Sequence, residues 1–136
     1  MQSPIHIRRN ICDEVFRHTR ENPLAECCGL LAGRGGTITR AFEAVNAASD
    51  PTKSYEIAPA EIFKCMREIR ASGLDLLGIY HSHPTGENRP SARDIELAYY
   101  PGTPYFIISP LQDVKKPIRA FLVSDGEVTE LDVQII

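Results

Sequence analysis

Gly78-Ile79-Tyr80-His81-Ser82-His83-Pro84-Thr85-Gly86-Glu87-Asn88-Arg89-Pro90-Ser91-Ala92-Arg93-Asp94 is the stretch from which the rest of the chain can be read. The apolar run Leu74 to Tyr80 leads into it, is bounded by Gly73, and reads as a buried strand. On an extended strand, residues i and i+2 point to one side, about 6–7 Å apart. His81 and His83 therefore converge where the strand ends. Pro84 disfavours helix at His83 and forces an extended exit. Ser91 opens a segment whose Ile95, Leu97 and Ala98, set among charged residues, suit a helix start. Asp94 then faces back from the first helical turn toward the histidines.

Two imidazoles and one carboxylate leave a tetrahedral zinc one open position, whereas closed structural sites usually take all four ligands from the protein. Water in an open position has its pKa lowered from about 15.7 to about 7. A base must still take its proton and hand it to a leaving amine, and a carboxylate is a common choice. The same residues have a plainer reading. Ser-x-x-Asp at a helix start resembles a capping box, and one Asp94 oxygen is not expected to serve both a cap and a metal. The residues taken alone leave both readings open.

The whole string, His-x-His-Pro, six residues, Ser, two residues, Asp, resembles the JAMM motif of the MPN-type metalloproteases at every fixed position. Far upstream, Glu26-Cys27-Cys28-Gly29-Leu30-Leu31-Ala32-Gly33 resembles the family's Glu-x-Cys-Gly-Leu-Leu-x-Gly segment. The resemblance implies an α/β fold, the MPN (cytidine-deaminase-like) sandwich, with a mixed central sheet flanked by helices. It implies a zinc ion (Zn2+) held by His81, His83 and Asp94, with Glu26 as general acid/base. Ser91 is implied as the hydroxyl that stabilises the oxyanion. The implied activity is that of a metalloprotease or isopeptidase, cutting a peptide or isopeptide bond at the C-terminal tail of a ubiquitin-like or sulfur-carrier protein. The donor types also suit iron(II) or manganese. Two alternatives stand beside this reading. One is a DNA-repair-associated branch with a similar string, but Ser82 replaces its usual Asn and its upstream helical DNA-binding segment is missing. The other is a non-catalytic MPN scaffold, whose members usually lose ligands that are all present here.

At 136 residues and 43% hydrophobic content, the chain suits a single domain, residues 1–136, with a buried core. Net charge is −3 and basic residues form only short pairs such as Arg8-Arg9 and Lys115-Lys116, which argues against nucleic acid as the main partner. No apolar run approaches the roughly 20 residues of a membrane span. Arg8, Arg9 and Asn10 interrupt any leader core, so the chain is expected to be cytoplasmic. Oligomeric state is left open. Cys12, Cys27, Cys28 and Cys65 lack Cys-x-x-Cys spacing and read as small buried hydrophobes. Adjacent Cys27 and Cys28 point to opposite faces, so one is expected to be buried and the other more exposed.

Around the motifs, Ile5 to Arg8 reads as a strand and Asn10 as the N-cap of a helix running to about Asn22, ended by Pro23. His6 and His18 belong to these elements and read as solvated or core-edge residues rather than ligands. Glu26 sits at the entrance of the strand Cys27 to Ala32, where an acid is ordinarily solvated. Gly33 to Gly36 turns the chain into a hairpin with Thr37–Val45. Residues 46–53 form a loop, the candidate substrate edge, and Ser54 to Ile57 a brief strand. Pro59 opens a second helix, closed by Gly73. Tyr99 and Tyr100 read as packing residues. Strands follow at Tyr105 to Ser109, Ile118 to Val123 and, after the Asp125-Gly126-Glu127 turn, Val128 to Ile136. Pattern alone supports a mixed sheet with helices against it.

Overall fold

The computed structural model describes residues 3–111 and 113–136. In chain order its elements are β1 (Ile5–Ile7), α1 (Arg9–Glu21), β2 (Cys28–Arg34), β3 (Thr37–Ala44), α2 (Pro59–Ala71), β4 (Asp75–Ser82), α3 (Ala92–Glu96), β5 (Tyr105–Ile108), β6 (Ile118–Ser124), β7 (Glu127–Leu131) and β8 (Val133–Ile135). The strands form one mixed sheet in the order β7-β6-β5-β4-β2-β3-β1-β8. Pairing is parallel at β4–β5, β1–β3 and β1–β8, and antiparallel elsewhere. Among the described residues no helix is long and apolar enough to cross a membrane.

Each face of the sheet is covered by a helix. Ile11, Cys12 and Val15 of α1 pack with Ile7, Cys27, Leu31, Ile38, Tyr80 and Phe106 on one side. Cys65 and Ile69 of α2 pack with Cys28, Leu30, Phe42 and Ile79 on the other. This explains why β2 reads as a continuous apolar run rather than an alternating one. It also corrects the expectation for the paired cysteines. They do point to opposite faces, but both faces are covered, so Cys27 and Cys28 are both buried, and all four cysteines are free thiols.

The register of β2 against β4 joins the two motifs. Cys28 pairs with His81 and Gly29 with Tyr80. Carried two residues further, that register sets Glu26 opposite His83. Between them Ser82 binds Cys27 twice: its hydroxyl accepts the Cys27 N–H at 2.9 Å and its own N–H donates to the Cys27 carbonyl at 3.0 Å. Gly29 matters here for want of space. A Cβ at that position would lie 2.3 Å from the Phe42 carbonyl oxygen and 2.5 Å from the Tyr80 ring. Neither can move cheaply, because one is backbone of the next strand and the other is fully buried. Gly29→Ala is therefore expected to destabilise the fold by about 3 kcal/mol, the upper part of the range for overpacking, as read from urea unfolding.

Four expectations for the elements are corrected. α1 starts at Arg9, with Arg8 at its N-cap and no capping side chain. Asn10 is not needed as a cap, because the Arg9 N–H donates to the Ile136 carbonyl at 2.8 Å. Residues 54–57 form no strand; side-chain bonds from Asn46, described below, hold this segment instead of a ladder. The run Val128 to Ile136 breaks at Asp132, since β7 pairs with β6 while β8 pairs with β1. One residue thus links strands at opposite ends of the sheet order, which requires the sheet to curl. Tyr99 and Tyr100 are exposed rather than packed. Pro59 does open α2, and Gly73 closes it with φ +70°.

Candidate metal centre

Three elements deliver the site. β4 carries His81 as its penultimate residue, with His83 just beyond its end; the chain entering β2 brings Glu26; the first turn of α3 brings Asp94. Each of the four offers one ligand-type atom, and these atoms lie within 4.8 Å of one another. The tightest part is a triangle. His81 Nε2 and His83 Nε2 are 3.1 Å apart, and Asp94 Oδ2 lies 3.3 Å from the first and 3.0 Å from the second. Nitrogen or oxygen ligands placed about 2.0–2.1 Å from a tetrahedral zinc stand about 3.3 Å from one another. The three donors are thus already close to the spacing such an ion requires, and the residues fit a metal.

The loop after β4 fixes His83. Its Nδ1 donates to the Glu87 carbonyl at 2.8 Å, which turns Nε2 toward the cluster. Beneath that loop the buried Asn88 amide donates to the carbonyls of Ile107 and Lys116, anchoring it to β5 and to the approach to β6. Asp94 is fixed by a capping box: Ser91 Oγ accepts the Asp94 N–H at 3.1 Å, and Asp94 Oδ2 accepts the Ser91 N–H at 2.9 Å. Both readings of Ser91 and Asp94 thus meet in one geometry. The oxygen that caps is the oxygen that faces the histidines, contrary to the expectation that they would differ, because a carboxylate oxygen has two lone pairs. Ser91 itself is exposed at the cap of α3.

Burial sets the charges. Glu26 is 8% exposed, not solvated, and its Oε1 has no hydrogen-bond partner. Burial pushes its carboxyl up from the ordinary 4.5 to about 7, with His83 opposing and Asp94 reinforcing the shift. Burial likewise lowers His81. For His83 burial acts in the same downward sense, but Asp94 and the Glu87 carbonyl outweigh it and raise the group. Burial would raise Asp94, yet hydrogen bonds from His81 and His83 hold it well below the usual carboxylate range. In metal-free protein the native state binds the Glu26 proton more tightly than the unfolded chain between about pH 4.5 and 7. Stability therefore falls as pH rises through that window, and the loss is complete above it. Metal-free Glu26→Gln is expected to melt at a higher temperature than metal-free wild type at pH 8, with the gap closing toward pH 4.5, in chelator-treated thermal scans.

Sequence reading passed over two neighbours. Asn46 uses its whole amide: Nδ2 donates to the carbonyls of Glu26 and Ser54, each at 2.9 Å, and Oδ1 accepts the N–H groups of Ala48 and Glu56. The Glu26 N–H donates to the Pro51 carbonyl at 2.8 Å. The loop expected as a substrate edge is thus also the frame that holds Glu26. Tyr55 lies in the same frame, stacked on His81. An asparagine or tyrosine in a polar loop carries no local signal of either role. His6 lies in β1, and His18 is bonded to the Tyr80 hydroxyl at 2.7 Å at the edge of the core; neither is one of the four clustered donors.

Known proteins resemble this chain in sequence and in fold. The chain is 41% identical over 104 residues to a desampylase of Haloferax volcanii, covering 72% of this chain and 75% of the relative. It is 33% identical over 129 residues to a probable TtuB-protein conjugate cleaving protease of Thermus thermophilus, covering 95% of this chain and 82% of the relative. A solution structure of a Desulfitobacterium hafniense protein superposes with a TM-score of 0.87 at 31% identity, over 97% of this chain and 92% of that one. A JAB1/MPN domain protein of Archaeoglobus fulgidus shares the fold at a TM-score of 0.62 and 19% identity, over 97% and 98% of the two chains. Residues 8–123 match the family described as prokaryotic homologs of the JAB domain, and the chain belongs to that family.

Proposed function

We propose that this chain is a zinc-dependent peptidase that cuts a peptide or isopeptide bond at the C-terminal tail of a ubiquitin-like or sulfur-carrier protein. The observation that carries this reading is the buried cluster of Glu26, His81, His83 and Asp94 around an unpartnered carboxylate oxygen. The named activities of the desampylase and of the conjugate-cleaving protease support the substrate class.

His81, His83 and Asp94 would hold the ion. When bound, it supplies Lewis acidity, polarising a scissile carbonyl and acidifying water. Glu26 does the proton work. Buried in the cluster beside the three ligands, its carboxylate is placed to accept a proton and return it to the departing nitrogen. The cap uses Ser91 Oγ only as an acceptor, so its hydrogen remains available to the carbonyl oxygen as charge develops there. Losing one such donor typically raises the barrier by about 3–4 kcal/mol. Asn46 keeps the Glu26 backbone in place, and the Ser82–Cys27 bonds keep the two motif strands in register.

The test is cleavage of a ubiquitin-like protein joined by its C-terminus to a lysine side chain, followed by mass spectrometry. The expected product ends at the original C-terminal glycine, disappears after chelation and returns with added zinc. An intact conjugate with zinc-loaded protein, or cleavage indifferent to chelator, would overturn the proposal.

A further inference from the structure

Among the described residues, the two buried side-chain polar atoms without a hydrogen-bond partner both belong to the site: Glu26 Oε1 and His81 Nδ1. The carboxylate oxygen is accounted for by its place in the cluster. The imidazole nitrogen is not. A metal-binding histidine ordinarily donates its other ring N–H to a carboxylate, a carbonyl or water, which fixes tautomer and ring orientation. His83 follows that rule through the Glu87 carbonyl. His81 is the more deeply buried of the two, at 1% exposure, and has no such partner.

What His81 has instead is a flat neighbour. The Tyr55 ring lies on it face to face, centroids 4.3 Å apart and planes inclined by 19°. The contact between His81 and His83 is by contrast tilted, at 5.0 Å and 59°. A ring stacked at this distance blocks rotation of the imidazole about its bond to the chain, since turning would drive an edge into the tyrosine. Tyr55 is itself held from both sides. Asn46 takes the Ser54 carbonyl before it and the Glu56 N–H after it, and the same amide holds the Glu26 carbonyl. Ser54 and Ile57 are buried, so the segment is pinned although it belongs to no strand.

We propose that Tyr55 is a positioning residue for His81, fixing the ring by stacking where His83 is fixed by a hydrogen bond. This rests on the metal-centre reading above. Tyr55 keeps Nε2 of His81 turned toward His83 and Asp94 before any ion arrives. Through Asn46, the stack and the Glu26 backbone share one brace. The tyrosine hydroxyl has no part in this, so phenylalanine should serve as well.

The experiment compares wild type with Tyr55→Phe, which keeps the flat ring, and Tyr55→Leu, which keeps apolar bulk without it. Tyr55→Met is a second aliphatic variant should Tyr55→Leu fail to fold by circular dichroism. Zinc affinity is measured by competition with a chromophoric chelator, and the His81 ring signals are followed by NMR in metal-free protein. The aliphatic variants are expected to bind zinc about 10–100-fold more weakly, the usual cost of a lost outer-shell partner, while Tyr55→Phe matches wild type. Wild-type affinity in the aliphatic variants, or a loss in Tyr55→Phe equal to theirs, overturns the proposal. Asp94→Ala reports separately on the metal-centre reading, which fails if wild type binds zinc no better than that variant. Positioning is then decided by the metal-free spectra. One His81 ring orientation in wild type and Tyr55→Phe, averaged in the aliphatic variants, sustains it; one orientation in all of them sinks it.

Discussion

Glu26→Gln is expected to lower turnover on a ubiquitin-like conjugate by about 100- to 10,000-fold, the range contributed by a positioned general acid/base, with metal content unchanged. Glutamine keeps the shape of the side chain and its place opposite His83 but cannot take a proton. The loss should therefore fall on kcat, with KM close to that of wild type. Glu26 stands in the cluster with an oxygen that has no hydrogen-bond partner among the described residues, and in metal-free protein burial raises its carboxyl. A group with those properties matches a proton carrier better than a structural charge. Steady-state kinetics beside elemental analysis of the same samples decides the matter. Equal loss of metal and turnover would make Glu26 a ligand, and unchanged turnover would remove it from the chemistry.

How far the sequence could be read depended on how local each cause was. His81, His83 and Asp94 were legible because strand period, Pro84 and the helix start at Ser91 are all local, and together they aim three side chains at one point. Glu26 was not legible on those terms. As a lone acid before an apolar strand it looks solvated, and only the resemblance singled it out. What buries it is the pairing of β2 with β4, a contact between distant segments. The same holds for the misread elements. Asn10 lost the cap to the Ile136 carbonyl, from the far end of the chain. The last apolar run broke at Asp132 because its halves pair with strands at opposite ends of the sheet order. Asn46 and Tyr55 sit in a polar loop whose purpose appears only once β2, β4 and that loop are assembled. Fold class, sheet type and the downstream motif are thus consequences of local pattern, and the remaining parts of the site are consequences of register.

Asp94→Asn and Asp94→Ala separate two duties of one oxygen. Oδ2 accepts the Ser91 N–H and also faces both histidine Nε2 atoms. Asparagine retains an oxygen able to accept that N–H but carries no charge, whereas alanine loses cap and ligand together. Both variants are expected to bind zinc more than about 100-fold more weakly than wild type, beyond the 10–100-fold typical of a lost outer-shell partner. They should differ in the helix. Hydrogen exchange at the Ser91 amide is expected to stay slow in Asp94→Asn and to quicken in Asp94→Ala, where α3 loses the reciprocal half of its capping box. Retention of roughly one zinc per chain in both variants, the stoichiometry of a single such centre, would remove Asp94 from the ligands and reduce it to a cap. Unchanged exchange in Asp94→Ala would instead leave the carboxylate a ligand alone. If both expectations hold, the helix start is what aims the ligand, and Ser91 and Asp94 are spaced as they are because the cap and the metal need the same turn.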